Sequence, residues 1–380
     1  MEFVIDALFE EHSQKVAHAI AQLIEQKGPL SFFEFMQLAL YAPDLGYYVA
    51  GCRKLGEAGD FITAPELSPL FSQCVAMQCQ QILSEISSPS ILELGAGSGI
   101  MALEILRALA AQNNLPEHYY ILEVSPDLRE RQETLFKNSG EHWTDRVMWI
   151  DQWPSHFRGV ILANEVLDAM PVHRFKKTSS GYREFYVDYQ QKNFCWQLGA
   201  CTTELQHYLA QLNVTLPPSY VSEANTLLSG WIKGLSICLE KGVALLIDYG
   251  FPRAEFYHPQ RNQGTLMCHF KHRAHDNPLV CVGMQDITAH VDFTAVVESA
   301  VKNNVDIAGF THQANFLINC GLISLFNASA DKIVNYQQAQ IVKRLTLPSE
   351  MGELFKVMAL SKNYDAPLIG FQTGDQMHRL

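Results

Sequence analysis

The most informative chemical feature of the sequence is a glycine-rich turn preceded by an acid. Glu93 stands just before Gly95, Gly97 and Gly99, between a short apolar run and a helical pattern. Glycines allow the backbone to approach a ligand closely, and the first N–H groups of a helix can bind one. The turn departs from the dinucleotide-binding fingerprint, because the sixth position counted from Gly95 holds Ile100 rather than Gly or Ala.

Further acids follow the next two apolar runs. Glu123 follows the second run, where a carboxylate can accept hydrogen bonds from two ribose hydroxyls. Asp151 follows the third run, where an adenine amino group can be read. An acid at the position of Glu93 suits a cationic or zwitterionic amino-acid group better than a pyrophosphate. Together these residues predict a site for S-adenosylmethionine, with an ordinary strand–glycine–helix corner as the alternative.

A second set of polar residues follows the apolar run Val160–Ala163 and consists of Asn164, Glu165 and Asp168. In open α/β sheets the ligand lies beyond the carboxyl ends of the strands, so we expect these side chains beside the methyl donor. Methyl transfer from a sulfonium is an in-line displacement that depends on positioning. Two carboxylates could orient a guanidinium and favour electron density on the attacking nitrogen. The alternative is that Asp168 caps the next helix and Glu165 faces solvent.

Short apolar runs joined by helical patterns indicate a parallel sheet that is covered on both faces. The runs predicted as strands are Ser90–Leu94, Tyr119–Val124, Val147–Ile150, Val160–Ala163 and Val243–Ile247. The later segments Val305–Phe310 and Leu354–Leu360 are expected to complete the sheet. Residues 6–27 read as an amphipathic helix, and roughly 176–235 read as an insertion that begins with a hairpin.

The composition indicates a globular, acidic protein. The 380 residues are 48% hydrophobic and 18% charged, and 28 Lys+Arg against 40 Asp+Glu give a net charge of −12. Nucleic-acid-binding proteins usually carry a basic patch, so no nucleic-acid partner is expected. No apolar run approaches the roughly 18 residues of a membrane span, so no membrane insertion is expected.

The cysteines and the first residues predict a cytoplasmic protein. Nine cysteines are scattered without a C-x-x-C pair, which indicates buried thiols in a reducing compartment rather than a disulfide framework. The N-terminal segment is acidic and lacks a positively charged region, so we expect neither a secretory signal nor a transit peptide.

Four histidines late in the chain raise the question of a metal site: His269, His272, His275 and His290. Neither an H-E-x-x-H motif nor a matched cysteine pair accompanies them, so no metal is predicted, and we expect pocket-lining or structural histidines. Nearby, Asp286, Thr288, His290 and Asp292 alternate and would share one face of a strand in an acceptor cleft. A turn followed by a helix cap is the alternative there.

Longer motifs resemble the MidA family of class I S-adenosylmethionine-dependent methyltransferases, and the glycine turn resembles motif I of that class. The more specific matches are Ser31-Phe-Phe-Glu-Phe-Met36, Leu40-Tyr-Ala-Pro-Asp-Leu-Gly-Tyr-Tyr48, Gly59-Asp-Phe-Ile-Thr-Ala-Pro-Glu66, Asn164-Glu-Val-Leu-Asp-Ala-Met-Pro171, His272-Arg-Ala-His-Asp276, Asp286-Ile-Thr-Ala-His-Val-Asp-Phe293 and Met351-Gly-Glu-Leu-Phe-Lys356. The resemblance spans about 28–360. One departure is Gly283-Met-Gln285, where members often carry an acidic or small residue.

The resemblance implies a fold and an activity. The implied fold is α/β, a Rossmann-like seven-stranded methyltransferase sheet with an N-terminal helical lid and an inserted substrate region. The implied cofactor is S-adenosyl-L-methionine. The family includes a mitochondrial complex I assembly factor that acts as a protein arginine methyltransferase, so the implied acceptor is an arginine of a partner protein, by analogy a respiratory-chain subunit. A small-molecule methyltransferase and a non-catalytic assembly factor that binds S-adenosylmethionine are the alternatives.

The resemblance also extends the candidate site and divides the chain. The loop before the first strand is expected to fold over the donor, with Asp60, Thr63 and Pro65 as candidate cofactor-binding residues; a plain connector is the alternative. The expected regions are a helical and lid region (1–85), the first half of the core (86–175), an insertion for the substrate (176–240) and the second half of the core with substrate-cleft loops (241–380). The sequence indicates neither the acceptor site, the degree of methylation nor the oligomeric state.

Overall fold

The computed structural model describes residues 7–50, 63–143, 145–271, 273–326 and 332–380 of the chain. The strands in these ranges are β1 (Leu30–Ser31), β2 (Ser90–Leu94), β3 (Tyr119–Leu122), β4 (Val147–Ile150), β5 (Phe157–Asn164), β6 (His173–Thr178), β7 (Gly181–Gln190), β8 (Asn193–Gly199), β9 (Val221–Ala224), β10 (Leu239–Phe251), β11 (Met267–Phe270), β12 (Arg273–His275), β13 (Asp286–Thr288), β14 (Val291–Asp292), β15 (Asp306–His312) and β16 (Phe355–Lys362).

The α-helices in the same ranges are α1 (Ala7–Lys27), α2 (Phe32–Tyr41), α3 (Ala64–Leu67), α4 (Pro69–Ser84), α5 (Ile100–Ala111), α6 (Pro126–Asn138), α7 (Thr203–Gln211), α8 (Leu228–Cys238), α9 (Arg253–Phe256), α10 (Phe293–Lys302), α11 (Gln313–Asn319), α12 (Leu322–Leu325), α13 (Lys332–Thr346) and α14 (Met351–Leu354). Two short 3-10 helices follow, Ile369–Phe371 and Met377–Arg379. Among the described helices, none is both long enough and apolar enough to cross a membrane.

The chain divides into two compact units, each built from three separate segments. The first unit comprises Met1–Phe61, Asp168–Leu227 and Ala254–His290. The second unit comprises Ile62–Leu167, Leu228–Arg253 and Val291–Leu380. The region boundaries expected from the sequence, after residues 85, 175 and 240, remain a prediction.

A large α/β sheet forms the centre of the second unit. Its strands run in the order β15-β16-β10-β5-β2-β3-β4, and the two-residue strand β14 pairs with β10. Strands β4, β3, β2, β5 and β10 are parallel to their neighbours in that order, whereas β16 is antiparallel to both β10 and β15. The α/β fold class and the mostly parallel sheet predicted from the sequence are confirmed.

Burial explains why these segments form strands. Every residue of β2 is buried, as are the centre of β5 and most of β10. Strands covered on both faces need nearly continuous apolar runs, which is the pattern that predicts them. The two late segments predicted to complete the sheet are confirmed as β15 and β16, which form its antiparallel edge.

Local sequence signals start the helices that follow these strands. Ser125 caps α6 by accepting the N–H of Leu128 at 3.3 Å, and Pro126 occupies the first helical position. Gly99 precedes α5 with a left-handed φ of 85°. Because each helix begins directly after a strand, its unpaired N–H groups lie near the carboxyl end of that strand.

The first unit combines antiparallel strands with α1 and α2. Strands β7 and β8 form the hairpin predicted at the start of the insertion, and β6 pairs with β7 and β9. A capping box begins α2, because Ser31 N–H donates to Glu34 Oε2 at 2.9 Å and Glu34 N–H donates to Ser31 Oγ at 3.3 Å. Val16, Ile20 and Phe35 belong to the apolar core of this unit.

The start of β5 approaches β2 closely enough to require glycine. Gly159 has a φ of 133° and lies opposite Ser90. A Cβ added at position 159 would overlap the carbonyl oxygen of Ser90. We expect Gly159→Ala to lower the free energy of unfolding by about 3 kcal/mol or more, because both the backbone strain and the overlap oppose the pairing. Urea denaturation of the purified protein measures this change.

Gly230 supplies the matched control for this substitution. It lies inside α8, and a Cβ there would meet no atom within 4 Å. Gly230→Ala should therefore raise the free energy of unfolding by about 0.5–1 kcal/mol, because alanine favours the helix. Equal stability of the two alanine variants would contradict the close approach of β5 to β2.

Candidate functional site

The strand register brings the carboxyl ends of four strands to one edge of the sheet in the second unit. Leu94 at the end of β2 lies opposite Ala163 of β5 and Leu122 of β3, and Leu122 lies opposite Ile150 of β4. The residues at or just beyond this edge are, in spatial order, Asn164, Gly95, Glu123 and Asp151. The register thus places these four predicted site residues side by side, although they are far apart in the chain.

The glycine turn after β2 has a backbone that only glycine adopts readily. Gly95, Gly97 and Gly99 have φ values of 63°, 56° and 85°. The N–H of Gly95 donates to the carbonyl oxygen of Leu122 at 3.0 Å, which ties the turn to β3. A Cβ at Gly95 would lie 3.5 Å from Cγ2 of Val166, so the turn also lies against the chain that follows β5.

Glu93 is buried beneath this turn. It is 2% exposed, and its Oε2 accepts the hydroxyl of Tyr119 at 2.6 Å. Burial raises the pKa of Glu93 to about 7, the Tyr119 hydrogen bond opposes that rise, and the charge of Glu123 adds to it. The acid therefore titrates near neutrality at the base of the candidate site.

The carboxylate of Glu123 is held from two sides and is only 7% exposed. Its Oε1 accepts the backbone N–H of Ser125 at 3.0 Å, and its Oε2 accepts the amide of Gln132 at 3.1 Å. Gln132 also donates to the carbonyl oxygen of Gly97 at 2.9 Å. One side chain therefore contacts both the glycine turn and the acid after β3.

Asp151 differs from the two buried acids because its side chain is 81% exposed. It lies after β4, next to the end of β3, and forms an ion pair with Arg129 at 3.3 Å. An exposed pair of this kind contributes little to stability. The carboxylate is therefore accessible at the edge where the sequence predicts an adenine contact.

The corner after β5 contains a strained residue that is fixed by hydrogen bonds. Glu165 has a left-handed φ of 54°, which costs a residue with a side chain about 1–3 kcal/mol. Its N–H donates to the carbonyl oxygen of Ile247 at 2.9 Å, and its Oε1 accepts the amide of Asn164 at 3.1 Å. The buried Asp248 accepts the N–H of Leu167 at 2.9 Å. Such strain persists only where the surroundings hold it, and it is concentrated at functional sites.

Asp168 belongs to the first unit and lies near two tyrosines and a second acid. It is 3% exposed, and its carbonyl oxygen accepts the N–H of Ala289 at 3.0 Å. Burial, followed by the charges of Asp286, Tyr41 and Asp168, raises the pKa of the Tyr48 phenol well above its usual value. Tyr48 therefore stays protonated and donates to Asp286 at 2.7 Å. Strand β6 is the next element after Asp168, so the helix-cap alternative for this residue does not apply.

The segment before α4 contacts the glycine turn through one side chain. Glu66 of α3 accepts the hydroxyl of Ser98. Thr63 is the N-cap of α3 without a side-chain capping bond, and Pro65 is buried. Asp60 lies outside the described residues, and folding of this loop over the donor stays a prediction.

The late histidines lie in the first unit, except that His272 lies outside the described residues. His269 and His275 are on the paired strands β11 and β12. Burial, together with the nearby charge of His275, lowers the pKa of His269 to about 4, so its imidazole is neutral at physiological pH. His290 follows β13.

The alternating residues after Gln285 do not share one strand face as the sequence suggested. Strand β13 ends at Thr288, and Asp292 is instead the N-cap of α10, where Oδ1 accepts the N–H groups of Thr294 and Ala295. Arg253 also donates to Asp292 at 3.0 Å. The helix-cap alternative is therefore correct for Asp292.

Three buried residues that support this site were not recognised in the sequence: Tyr119, Gln132 and Asp248. Tyr119 bonds Glu93, Gln132 bonds Glu123, and Asp248 fixes the corner after β5. The sequence shows only that Tyr119 and Asp248 are polar groups within apolar strands and that Gln132 lies on a helix that follows one. That signal does not separate them from ordinary structural polar residues.

The residues at this edge suit S-adenosylmethionine, which supplies an electrophilic methyl group on its sulfonium. In the turn, Gly95 is exposed and Gly97 half-buried, and neither places a side chain at this edge. The buried, doubly held carboxylate of Glu123 is a fixed acceptor for ribose hydroxyls. The donor set therefore fits an adenosyl group joined to an amino acid.

The raised pKa of Glu93 predicts a pH dependence of stability. A carboxyl group whose pKa is higher in the folded state stabilises the fold at low pH, and this contribution disappears as the pH rises through the folded pKa. With values of 4.5 unfolded and about 7 folded, the loss falls in that interval. The free energy of unfolding of Glu93→Gln, taken relative to that of the parent protein, should therefore increase by on the order of 3 kcal/mol between pH 4.5 and pH 8.

Urea denaturation of the ligand-free protein at several pH values tests this expectation. The amide in Glu93→Gln keeps an oxygen that can accept from Tyr119, so the variant isolates the titration. Glu130→Gln removes an exposed carboxylate from α6 and should leave the pH dependence unchanged. A constant stability difference between Glu93→Gln and the parent across this range would show that Glu93 does not titrate there.

Comparison with known proteins agrees with this geometry. A family model described as "Putative S-adenosyl-L-methionine-dependent methyltransferase" matches residues 74–311. A solved structure of a COG1565 superfamily member from Burkholderia thailandensis, bound to S-adenosyl-homocysteine, has a TM-score of 0.95 and 38% sequence identity and covers 100% of both chains. The S-adenosyl-L-methionine cofactor predicted from the sequence is thereby confirmed for this chain.

Curated relatives extend over most of the chain. The human protein named "Protein arginine methyltransferase NDUFAF7, mitochondrial" is 30% identical over 375 residues, which are 89% of this chain and 81% of the relative. The protein of the same name from Danio rerio is 28% identical over 391 residues, which are 92% of this chain and 87% of the relative. The family resemblance noted in the motifs is confirmed by these matches.

The cytoplasmic location expected from the sequence is wrong by this comparison, because these relatives are named as mitochondrial proteins. Scattered thiols indicate a reducing environment, and such an environment is not unique to the cytoplasm.

The matched family model, the extended relatives and the S-adenosyl-homocysteine-bound structure agree on the chemistry. The chain therefore belongs to the family described as putative S-adenosyl-L-methionine-dependent methyltransferases, and it is an S-adenosyl-L-methionine-dependent methyltransferase.

Proposed function

We propose that this methyltransferase modifies an arginine side chain of a partner protein. The observation that carries the proposal is the match over most of the chain to relatives named as protein arginine methyltransferases. The acidic residues Glu165 and Asp168, three positions apart after β5, are consistent with a cationic acceptor. A net charge of −12 would also attract a basic segment of a partner, most strongly at low salt.

The chemistry of the acceptor favours carboxylates over other groups. An arginine side chain is protonated in water, with a pKa above about 12, so the site must hold a cation and accept a proton only as the methyl arrives. Carboxylates can do both. A lysine acceptor would need prior deprotonation in an apolar channel, and the segment from Asn164 to Asp168 is polar. Methylation of a hydroxyl would need a base or a metal. His173, two residues after Pro171, pairs through Nδ1 with Glu184 at 2.6 Å and could serve as such a base, so a hydroxyl acceptor stays the alternative.

Donor binding is assigned to the carboxyl edge of the second unit's sheet. Glu93 and the glycines of the turn are proposed to hold the amino-acid part, and Glu123 to hold the ribose. Asp151 is proposed to contact the adenine. The remaining candidates for donor contact are Asp60, Thr63 and Pro65. The hydrogen bond between Glu66 and Ser98 supports a role for this segment, because it brings α3 to the turn.

Acceptor binding is assigned to the segment after β5. Glu165 and Asp168 are proposed to hold the guanidinium, with Asn164 orienting Glu165 through the 3.1 Å hydrogen bond. A glycine at position 165 would relieve the strain of the left-handed φ, so the presence of a glutamate there supports a role for its side chain. The burial of Asp168 supports a fixed position for its carboxylate. A charge that is already positioned stabilises a transition state without reorganisation.

The partner and the substrate region are also proposals. A respiratory-chain subunit is proposed as the partner on the family resemblance alone. Residues 176–240 are proposed to carry the substrate region, between the two halves of the core at 86–175 and 241–380. The hairpin of β7 and β8 within that region supports the assignment, because it lies outside the large sheet.

Transfer of tritium-labelled methyl groups tests the proposed acceptor. The purified enzyme is incubated with labelled S-adenosylmethionine and a lysate of cells that lack its gene. Label should appear in protein and should elute as methylarginine after acid hydrolysis. Label confined to small molecules would favour a metabolite methyltransferase, label in methyl-lysine would exclude the arginine assignment, and no label with intact donor binding would favour a non-catalytic assembly factor.

Two variants assign the label to this site. Asp168→Asn and Glu165→Gln keep the size of each side chain and remove its charge, so transfer should fall about 100-fold while S-adenosylmethionine still binds. Glu117→Gln is the control, because it removes an exposed carboxylate just before β3, at the opposite end of that strand from the candidate site and outside residues 176–240. Calorimetry with S-adenosylhomocysteine separates the two steps. Parallel loss of donor binding and transfer would make these carboxylates part of the scaffold.

A further inference from the structure

Gln132 of α6 is a wholly buried amide that reaches two parts of the donor site. None of its surface is exposed. Its Nε2 donates to the carbonyl oxygen of Gly97 at 2.9 Å and to Oε2 of Glu123 at 3.1 Å. We propose that Gln132 is a positioning residue that sets the glycine turn and the ribose-binding carboxylate in one fixed arrangement for S-adenosylmethionine.

The orientation of this amide is fixed by a third residue. Trp149 of β4 donates its indole N–H to Oε1 of Gln132 at 2.9 Å. An indole nitrogen can only donate, so the amide oxygen must face Trp149 and the amide nitrogen must face Gly97 and Glu123. Both N–H groups of the amide then donate hydrogen bonds, and its oxygen accepts one. A rotated amide would lose all three hydrogen bonds, so a single orientation is favoured.

This arrangement has a direct consequence for Glu123. The Ser125 N–H binds one carboxylate oxygen and Gln132 binds the other, so the carboxylate plane cannot rotate without breaking a bond. A carboxylate that accepts from two vicinal hydroxyls must keep its plane fixed. Loss of Gln132 would remove the hydrogen bond to Oε2 and leave the Ser125 bond to Oε1 in place. The free energy needed to fix the carboxylate would then be taken from ligand binding.

The same side chain supports the glycine turn. Gly97, which has a left-handed φ, accepts a hydrogen bond from Gln132 through its carbonyl oxygen. A Cβ added at Gly99 would lie 3.1 Å from Cγ of Gln132, so Gln132 also packs against this end of the turn. Phe136 lies one helical turn beyond Gln132 and packs edge-on to Trp149 with ring centroids 6.0 Å apart. The amide is therefore held by rigid elements on both sides. This inference rests on the proposed contact between Glu123 and the ribose of S-adenosylmethionine and is independent of the acceptor.

The test compares S-adenosylhomocysteine with its 2′-deoxyribose analogue by calorimetry. Removing the 2′-hydroxyl should weaken binding to the parent protein about 10-fold, the value of one charge-assisted hydrogen bond. Gln132→Met keeps the length of the side chain and removes its polar atoms. It should weaken binding of S-adenosylhomocysteine about 10-fold and reduce the 2′-deoxy effect to about twofold or less, because Glu123 is no longer oriented. A merely structural role would leave the 2′-deoxy effect unchanged.

Gln78→Met is the matched control. Gln78 is also a wholly buried glutamine of the second unit, with its amide nitrogen bonded to Gln81 and its amide oxygen to the N–H of Gly370, both at 2.9 Å. Its substitution removes two buried hydrogen bonds away from the glycine turn, against three at Gln132. Both ligands should therefore bind to the Gln78→Met protein within about twofold of their affinities for the parent.

Trp149→Phe provides a second variant in case Gln132→Met does not fold. It keeps an aromatic ring and removes the donor that orients the amide, so S-adenosylhomocysteine should bind about threefold more weakly, with a smaller 2′-deoxy effect. Adding Trp149→Phe to Gln132→Met should cost no further affinity, because Trp149 acts through Gln132.

Three results would overturn the inference. The first is parent affinity in a folded Gln132→Met or Trp149→Phe protein. The second is weaker binding in these variants with the full 2′-deoxy effect retained, which would make Gln132 a packing residue. The third is the absence of any 2′-deoxy effect in the parent, which would show that Glu123 does not bind the ribose.

Discussion

The parallel register of β2, β3, β4 and β5 is the constraint on which the donor site depends. Because Leu94 pairs with both Ala163 and Leu122, the turn after β2 is flanked by the residues that follow its two neighbours. A shift of one residue in either pairing would move the adjoining side chains to the opposite face of the sheet. Gly159, near the other end of β5, permits the close approach to β2 that this register requires, and Gly242 of β10 does the same opposite Gly159.

The register gathers acids at one edge, and hydrogen bonds make their burial tolerable. Glu93 keeps a proton up to about pH 7 and is bonded by Tyr119, whereas Glu123 is bonded by Ser125 and Gln132. A buried carboxylate without such partners would cost several kcal/mol or change its protonation state. The same bonds that permit burial also fix the direction in which each carboxylate faces. Stability and ligand recognition therefore depend on the same contacts in this part of the fold.

The sequence predicted the features that depend on local pattern. The short apolar run Ser90–Leu94 predicts a buried strand, and in the structure each of its residues is buried. An acid after the next strand favoured a donor site over an ordinary strand–glycine–helix corner for the glycines that follow. Gln132 and Asp248 could not be recognised, because a buried polar residue differs from an exposed one only through its tertiary neighbours. The sequence left two interpretations open for Asp292, because alternation over eight residues describes a strand and also a strand end followed by a capped helix.

A crystal structure of the enzyme with S-adenosylhomocysteine tests the central claim most directly, because it shows which atoms of the ligand each edge residue contacts. The account predicts both ribose hydroxyls within hydrogen-bond distance of the Glu123 carboxylate and the amino-acid part along Gly95–Gly99. It also predicts that the amide of Gln132 still joins Gly97 to Glu123. A ligand bound elsewhere, or a ribose without a contact to Glu123, would contradict the account.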